Sequence, residues 1–392
     1  MTQNSPIHFA VLGPHGRGRI ALRLHRPEEG LSIRSICATN FDNLDNFRGT
    51  CGDGLIMTTD YREIMADPKV DAVFICTPDH LHAEHAIAAL NAGKHVFLEK
   101  PMAITIADCD AILSAAKQSK GRLYVGHNMR FMPVVKKMRE LIEEGRIGRV
   151  EAVWCRHFIA YGGDAYFKDW HSERQNTTGM LLQKGAHDID IIHYLAGGHT
   201  KRVVGMGKLS VYNEVKNRRN PEEPGDATFN NHNWPPLSQT GLSPVIDIED
   251  HSMILMQLDN GVQASYQQCH YTPDSYRNYT IIGTEGRIEN YGITSSAESW
   301  ATVHLWNRRM GYQEHGNEVF RIPHIEGGHG GSDPFLLGGF VKIIRGETAE
   351  GATPWDARMA VATGCLGTES LRNGSIPFDI PDFTNHLDIR HP

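Results

Sequence analysis

The first third of the chain alternates short apolar runs with amphipathic segments of helical length, and this alternation constrains the fold more than any other feature. Near-continuous apolar strands separated by helices are typical of a parallel sheet that is covered on both faces. Five such runs occur, namely Ile7–Leu12, Ile33–Ala38, Val70–Cys76, His95–Leu98 and Arg122–Val125. They predict an α/β domain over residues 1–126, with ligands bound beyond the carboxyl ends of its strands.

The pattern changes after residue 126, where strand signals become denser. An Asn260-Gly261 pair between two apolar runs predicts a β-hairpin. Residues 127–392 are therefore expected to form a second α/β domain on an antiparallel or mixed sheet, and a helix near 355–373 is placed to pack back on the first domain. The stretch 213–245, rich in Asn, Pro and Glu, predicts a long surface excursion. A solvated loop, a lid and an oligomer arm are the alternatives for it.

Composition excludes several classes of protein. Lys and Arg number 39 against 46 Asp and Glu, a net charge of −7, so nucleic-acid binding is not expected. No apolar run approaches the roughly 18–20 residues that cross a bilayer, so no membrane partner is expected. The seven cysteines include no CxxC pair, which predicts reduced thiols and a cytoplasmic location.

A glycine-rich turn, Gly-Pro-His-Gly-Arg-Gly, follows the first apolar run and precedes a helical segment. It is a variant of the dinucleotide fingerprint GxGxxG, in which a pyrophosphate lies at a helix N-terminus. Histidine occupies the place of the second glycine, and the neighbouring Gly16 supplies the close backbone approach. The second run ends without the acidic residue that binds the ribose of NAD, but no Arg immediately follows it to receive the 2′-phosphate of NADP, so NAD is favoured while NADP stays open. The cofactor contacts expected from this region are Gly13, His15, Gly16, Arg17, Gly18 and Asn40.

Longer motifs resemble those of one protein family. They are CTPDHLH (76–82), GKHVFLEKP (93–101), VGHNMRF (125–131), GAHDID (185–190) and HGGSD (329–333). Together they resemble the glucose–fructose oxidoreductase / inositol dehydrogenase / rhizopine catabolism family (Gfo/Idh/MocA). The resemblance implies a Rossmann domain followed by an α/β domain with a large, mainly antiparallel open sheet. It also implies NAD(P)-dependent hydride exchange with a carbon of a sugar or cyclitol, in a homodimer or homotetramer.

The resemblance assigns catalysis to Lys100 and His187. A lysine beside a nicotinamide and a substrate hydroxyl can polarise that oxygen or relay its proton. In the family the histidine often acts as base with an Asp four residues earlier, but Gln183 stands at that position here. Asp190, three residues beyond His187 on one helical face, is the candidate to orient the imidazole.

Further contacts are expected from the same motifs. The additional cofactor contacts are Thr77, Pro78, His80, His82, Glu99, Lys100, Asn128 and Trp170. The substrate contacts are Arg130, His171, Arg174, Gln183, Lys184 and Asp190. A set of cations, namely Arg130, Arg156, Lys168, Arg174 and Lys184, suggests an anionic sugar, with solvated surface charges as the alternative. No metal site is expected, because His187 and His193 are six residues apart instead of four.

The segment from Trp170 to His187 departs from the usual dehydrogenase pattern. Its WH, TG and KGxH motifs are similar to NAD-dependent glycosidases of the same superfamily. That similarity implies transient oxidation at C3, elimination, addition of water and re-reduction, which needs several proton transfers. Three hypotheses remain: a sugar or cyclitol dehydrogenase, an NAD-dependent glycosidase, and a non-catalytic regulator that senses NAD or sugar. Retention of Lys100 and His187 argues against the regulator.

Overall fold

The computed structural model describes residues 5–296 and 299–383, which form two compact units. The first unit comprises residues 5–128, Ser332–Arg358 and Phe383, and the second comprises Met129–Gly331 and Met359–Asp382. The predicted division at residue 126 assigned Ser332–Arg358 to the second domain, whereas this segment belongs to the first unit. Contacts between segments so far apart leave no local signal in the sequence. The helix predicted near 355–373 lies mostly in the second unit.

Strands and helices follow the predicted alternation. The strands are β1 (Ile7–Leu12), β2 (Leu31–Cys37), β3 (Ile56–Thr58), β4 (Ala72–Ile75), β5 (His95–Leu98), β6 (Leu123–Val125), β7 (Val150–Phe158), β8 (Thr200–Lys208), β9 (His251–Leu258), β10 (Gln263–Cys269), β11 (Tyr276–Gly283), β12 (Arg287–Tyr291), β13 (Thr302–Trp306), β14 (Glu318–Arg321) and β15 (Phe378–Asp379). The helices are α1 (Asp45–Cys51), α2 (Tyr61–Ala66), α3 (His82–Asn91), α4 (Ile106–Gln118), α5 (Pro133–Glu143), α6 (Gly162–Tyr166), α7 (Arg174–Thr177), α8 (Met180–Gln183), α9 (Gly185–Ala196), α10 (Asp333–Ile344) and α11 (Pro354–Arg372). Shorter 3₁₀ segments include Gly16–Leu24, Asn128–Phe131 and Trp170–Ser172.

The first unit is built on a six-stranded parallel sheet in the order β3-β2-β1-β4-β5-β6. Phe9, Val73 and Phe97 from its central strands are fully buried, as near-continuous apolar strands require. The strand order reverses between β1 and β4, and crevices at such a point bind dinucleotides. The predicted Rossmann-type fold is confirmed.

The second unit contains a nine-stranded sheet in the order β14-β13-β12-β11-β7-β10-β9-β8-β15. Within the described part of this sheet, β7–β10 is the one parallel strand pairing, so the predicted mainly antiparallel sheet is confirmed. The predicted hairpin joins β9 to β10, with Gly261 at φ +92°. Alternate residues of β9 are buried, and helix α9 packs against β7 and β10 on that face. The opposite face is open and exposes Trp154, Met253 and Leu255.

The excursion between β8 and β9 is irregular, with one short 3₁₀ turn at Pro236–Ser238. Its base is anchored because Tyr212 and Leu242 pack with Phe167 in a small apolar cluster. Its outer part is mostly exposed. Asp164 contacts this part by accepting hydrogen bonds from the backbone N–H of Asn230 and from the side-chain amide of Asn233.

Among the residues that the structure describes, no helix combines the length and the apolar character that a membrane span needs. No three of the His, Cys, Asp or Glu side chains of those residues are grouped as ligands for a metal ion.

Candidate functional site

The turn after β1 requires glycine at two positions. A Cβ on Gly13, whose φ is +74°, would lie 2.5 Å from the carbonyl oxygen of Cys76. A Cβ on Gly18 would lie 1.9 Å from the carbonyl oxygen of Gly13. On Gly16 it would meet no described atom within 4 Å, so this side of the turn faces open space. The turn therefore presents the first N–H groups of the segment Gly16–Leu24 to a ligand, which suits a pyrophosphate.

Arg17, expected to contact the cofactor, is held by two carboxylates of its own unit. Its Nε donates to Glu99 Oε1 at 2.7 Å, and its two Nη atoms donate to Asp333 at 2.7 and 2.8 Å. Burial disfavours both charges, but the partners outweigh it: the pKa of Arg17 is raised and that of Glu99 is lowered. Asn128 also donates to Asp333, at 3.3 Å. The geometry thus makes Arg17, Glu99 and Asn128 supports of the glycine turn.

His82 was expected to bind the cofactor, and this expectation is corrected by its surroundings. The residue is buried, with Nδ1 2.7 Å from the carbonyl oxygen of Pro101 and Nε2 2.9 Å from that of Thr77. With both ring nitrogens engaged, His82 joins the loops after β4 and β5. His80, two residues earlier, is exposed, and Pro78 is partly exposed.

Lys100 lies in the loop after β5, so it shares the carboxyl edge of the sheet with the glycine turn. Its backbone N–H donates to Glu99 Oε2 at 2.9 Å, and its side chain is partly exposed. At the end of β2, Asn40 is exposed and accepts the N–H of Asp42 at 3.2 Å. His15 Nε2 lies 2.9 Å from the Asp42 carbonyl oxygen, which ties the glycine turn to the loop after β2.

In the second unit, α9 carries His187 and, beside it, the fully buried Asp188. Asp188 accepts hydrogen bonds from Tyr279 Oη and His157 Nδ1, the latter at 3.0 Å, and lies 3.1 Å from Arg277 Nε. Burial opposes the charge of Asp188, but Arg277 and His157 outweigh it and hold its pKa far below the usual range. Burial and Arg277 lower the pKa of His157 to about 3. This network fixes α9 against β7 and β11. Its members lie on separate elements, so their contacts could not be predicted from the sequence.

Arg130 and Asp190, both expected at the substrate, form a buried ion pair instead. Arg130 Nη2 donates to Asp190 Oδ1 at 2.6 Å and Nε donates to Oδ2 at 3.0 Å, with side-chain exposures of 9% and 1%. The guanidinium also lies 4.9 Å from the ring centre of Tyr194. The pair joins the turn after β6 to α9, and a role for Asp190 in orienting His187 stays a prediction.

The other predicted cations have different surroundings. Arg156 points to the open face of the sheet, opposite the face that α9 covers. Arg174 Nε pairs with Asp247 at 3.0 Å and is half exposed. Lys168 pairs with Asp164 at 2.8 Å in a buried contact. Arg130, Lys168 and Arg174 thus have carboxylate partners, which does not favour the expected anionic sugar.

Lys184 differs from these cations because its partners are phenols. Its Nζ donates to Tyr161 Oη at 3.0 Å and lies 5.4 and 5.5 Å from the ring centres of Tyr161 and Tyr166. Lys184 directly precedes α9, while Tyr161 directly precedes α6 after the end of β7. Burial disfavours the ammonium, but Tyr166 and Tyr161 outweigh it and raise the pKa of Lys184.

A second polar pair lies on the 3₁₀ turn Trp170–Ser172. His171 Nδ1 is 2.6 Å from Asp169 Oδ1, and its ring stacks on Trp170 at 3.7 Å between centres. The ring of Tyr166 meets His171 edge-on at 5.4 Å. His171 is thereby fixed in orientation. Trp170, expected at the cofactor, belongs to the second unit and supports this histidine.

The remaining predicted residues of the second unit, Gln183 and His187, are buried beside Lys184, with 6% and 8% exposure. His187 lies in the first turn of α9, three residues after Lys184. An added Cβ on Gly185 would lie 3.0 Å from the ring of Tyr266, so this helix begins close against the sheet. The unit therefore brings Gln183, Lys184 and His187 to one helix terminus.

These observations define a dinucleotide-binding protein of the oxidoreductase type, with a separate α/β unit rich in proton-bearing groups. Comparisons with known proteins agree. Residues 7–127 match the model of an oxidoreductase family, NAD-binding Rossmann fold, and residues 139–380 match the C-terminal alpha/beta domain of that family. The chain belongs to the Gfo/Idh/MocA family of NAD(P)-dependent sugar and cyclitol oxidoreductases, and its first unit is the NAD-binding domain.

Individual relatives are similar over different lengths. Levoglucosan dehydrogenase of Pseudarthrobacter phenanthrenivorans is 31% identical over 244 residues, which covers 59% of this chain and 58% of that protein. Inositol 2-dehydrogenase of Salmonella paratyphi B is 24% identical over 320 residues, covering 81% and 79%. A structure of levoglucosan dehydrogenase with NADH and levoglucosan superposes with a TM-score of 0.75 at 23% identity, covering 96% of this chain and 100% of that chain. The latter likeness concerns the fold.

Proposed function

We propose that the protein is an NAD-dependent dehydrogenase that oxidises a secondary hydroxyl of a neutral sugar or cyclitol, with Lys100 and His187 as catalytic residues. One observation carries the proposal. The glycine turn after β1, the loop after β4 and Lys100 after β5 follow adjacent parallel strands, so they lie at one edge of one sheet. A lysine at the edge that receives the dinucleotide is placed for chemistry beside it.

The fit to a dinucleotide rests on the turn itself. The turn can be this tight because Gly13 and Gly18 lack a Cβ, which would collide with a backbone oxygen at either position. The side of the turn at Gly16 is open. NAD⁺, when bound, supplies the hydride acceptor. Lys100 then polarises the substrate oxygen, and a group of the second unit receives the hydroxyl proton, because an alcohol loses both on oxidation to a ketone.

The substrate is proposed to be neutral because the buried or semi-buried arginines near the predicted site already have acidic partners. Arg130 is neutralised by Asp190 and Arg174 by Asp247. Binding a carboxylate or phosphate at either would require breaking one of these pairs, at a cost that a neutral polyol avoids.

The test measures NADH formation at 340 nm from NAD⁺ with panels of free sugars, cyclitols and sugar acids. We expect steady turnover with at least one neutral polyol. Lys100→Ala is expected to lower kcat by about 10²–10⁴-fold, while NADH binding, followed by fluorescence, stays close to wild type. Lys117→Ala, which removes a lysine from the last turn of α4, is the matched control. Turnover by Lys100→Ala at the wild-type rate would remove that residue from its role.

A second candidate, an NAD-dependent glycosidase, is favoured by one specific feature. The second unit holds two separate proton-bearing pairs, His171 with Asp169 and Tyr161 with Lys184. Oxidation, elimination and hydration of a glycoside need more proton transfers than one oxidation does. Aryl glycosides decide between the two: aglycone release without stoichiometric NADH identifies the glycosidase, whereas steady NADH from a free sugar identifies the dehydrogenase.

A homo-oligomer is also proposed, with the open face of the nine-stranded sheet as the contact surface. Trp154, Met253 and Leu255 expose apolar side chains on that face. Contiguous exposed apolar surface of this kind commonly marks a protein contact.

A further inference from the structure

We infer that Tyr161, held against Lys184, is the group that accepts the substrate hydroxyl proton. This inference rests on the proposed dehydrogenase function and adds Tyr161 to its catalytic residues, with His187 kept as the proposed contact to the substrate. Tyr161 would touch the substrate oxygen, whereas Lys184 acts through Tyr161 and is a positioning residue.

The geometry gives Tyr161 a fixed place and a fixed neighbour. Its Oη accepts from Lys184 Nζ at 3.0 Å, and its ring meets that of Tyr166 at 6.2 Å between centres. The chain turns at this point from β7 into α6, so the backbone of Tyr161 is held by two elements. Tyr161 is only partly buried, which leaves part of the side chain accessible to a ligand.

Electrostatics make this phenol more acidic than an ordinary tyrosine. Burial alone would raise its pKa, but the Lys184 ammonium outweighs burial, and the pKa of Tyr161 is lowered. Arg277 acts in the same direction and Asp188 in the opposite one. Burial raises the pKa of Tyr166, so the two phenols beside Lys184 are not equivalent.

Three other titratable groups around Lys184 are poorly suited to exchange a proton near neutral pH. The pKa of His157 is about 3, and that of His270 is lowered well below its usual range, because burial disfavours both cations. Asp188 is stabilised as a carboxylate by Arg277 and His157. Gln183 has no ionisable group. Tyr161 is therefore the member of this group whose acidity is shifted toward the working pH.

The step balances as follows. The substrate O–H bond breaks and its proton joins the Tyr161 phenolate, which becomes a neutral phenol. With NAD⁺ bound, the C–H bond of the carbinol carbon would break with both electrons passing as a hydride to the nicotinamide, and the carbon would be oxidised to a ketone. Lys184 stays protonated throughout and stabilises the phenolate before the transfer, since opposite charges at this distance attract strongly in a partly buried site.

The experiment measures kcat against pH for wild type, Tyr161→Phe, Lys184→Met and the control Tyr291→Phe, using the best substrate of the wild type. Tyr291 is a partly exposed tyrosine of the same unit, at the end of β12. We expect Tyr161→Phe to lower kcat by about 10²–10⁴-fold and to lose the limb that rises with pH. Lys184→Met should move that limb to higher pH, and Tyr291→Phe should leave both rate and limb unchanged.

Folding and function are controlled separately. Fluorescence titration with NADH and circular dichroism show whether each variant retains its fold, and Lys184→Arg keeps the charge if Lys184→Met does not fold. A wild-type rate and an unchanged rising limb in Tyr161→Phe would overturn the inference while leaving the dehydrogenase intact. Absence of any NAD⁺-dependent oxidation by the wild type would instead overturn the proposed function, and the inference with it.

Discussion

Replacing Asp190 by Asn tests whether its contact with Arg130 is a structural ion pair or a substrate-binding arrangement. Both side chains are almost fully buried, and the carboxylate receives two nitrogens of the guanidinium at 2.6 and 3.0 Å. Asp190→Asn leaves the Arg130 charge without its counter-charge in a water-poor site. Breaking one side of a buried pair in this way costs about 3–5 kcal/mol.

The expected loss is large enough to measure in urea. With a slope of about 2–3 kcal/mol per M, a loss of 3–5 kcal/mol moves the unfolding midpoint by about 1–2 M. Tryptophan fluorescence reports mainly on the relevant unit, because five of the six tryptophans lie in it, namely Trp154, Trp170, Trp234, Trp300 and Trp306. Arg130→Met should show a similar loss, since it leaves the carboxylate buried.

The double variant Arg130→Met, Asp190→Leu separates pairing from general disruption. Replacing both members of a buried pair by apolar residues is often neutral or stabilising, so most of the lost stability should return. The structural reading is refuted if Asp190→Asn unfolds within about 0.3 M of the wild type while KM rises strongly. That result would restore Arg130 and Asp190 to the substrate.

Three shorter predictions follow. Gly18→Ala should weaken NADH binding about tenfold or more in a fluorescence titration, because the added Cβ would meet a backbone oxygen at 1.9 Å. Gly16→Ala should lose less affinity for NADH, because the space around Gly16 is open, although its φ is +50°. Glu99 has a lowered pKa in the folded state, so its pairing with Arg17 stabilises the fold fully above the unfolded pKa of about 4.3 and less as the pH falls below that value. The urea midpoints of wild type and Glu99→Gln should therefore converge on acidification. A difference between the two midpoints that stays constant with pH would contradict this. Trp154→Glu should convert an oligomer to a smaller species in light scattering, and an unchanged mass would exclude the open face as the contact.

Local sequence patterns were sufficient for the fold and for one half of the site. Short apolar runs bounded by turns specify buried parallel strands, and the carboxyl edge then follows from topology. For this reason the positions of the glycine turn and Lys100 could be predicted. The Asn-Gly hairpin between β9 and β10 was predicted equally well, because its turn chemistry is local.

Pairings between distant charges could not be predicted. Asp333 is 316 residues from Arg17, and nothing local indicates that one carboxylate receives both Arg17 and Asn128. The same limitation applies to the cations expected at the substrate. Arginines close in sequence to the motifs have carboxylate partners brought in from other elements, such as Asp190 for Arg130 and Asp247 for Arg174. A sequence shows charges, whereas their partners depend on tertiary structure.

The chain's 22 histidines suggest a site rich in proton shuttles, but burial assigns several of them a different role. His82 joins two loops, and His193 Nε2 lies 2.7 Å from Thr200 Oγ1 within the second unit. His157 and His270 have strongly lowered pKa values because burial disfavours their cations. A histidine kept neutral in the folded state gains a proton more easily when unfolded, so stability should fall as pH drops below about 6.5. His157 and His270 therefore make the second unit acid-sensitive without serving as proton carriers, which leaves proton exchange to other groups such as Tyr161 and His187.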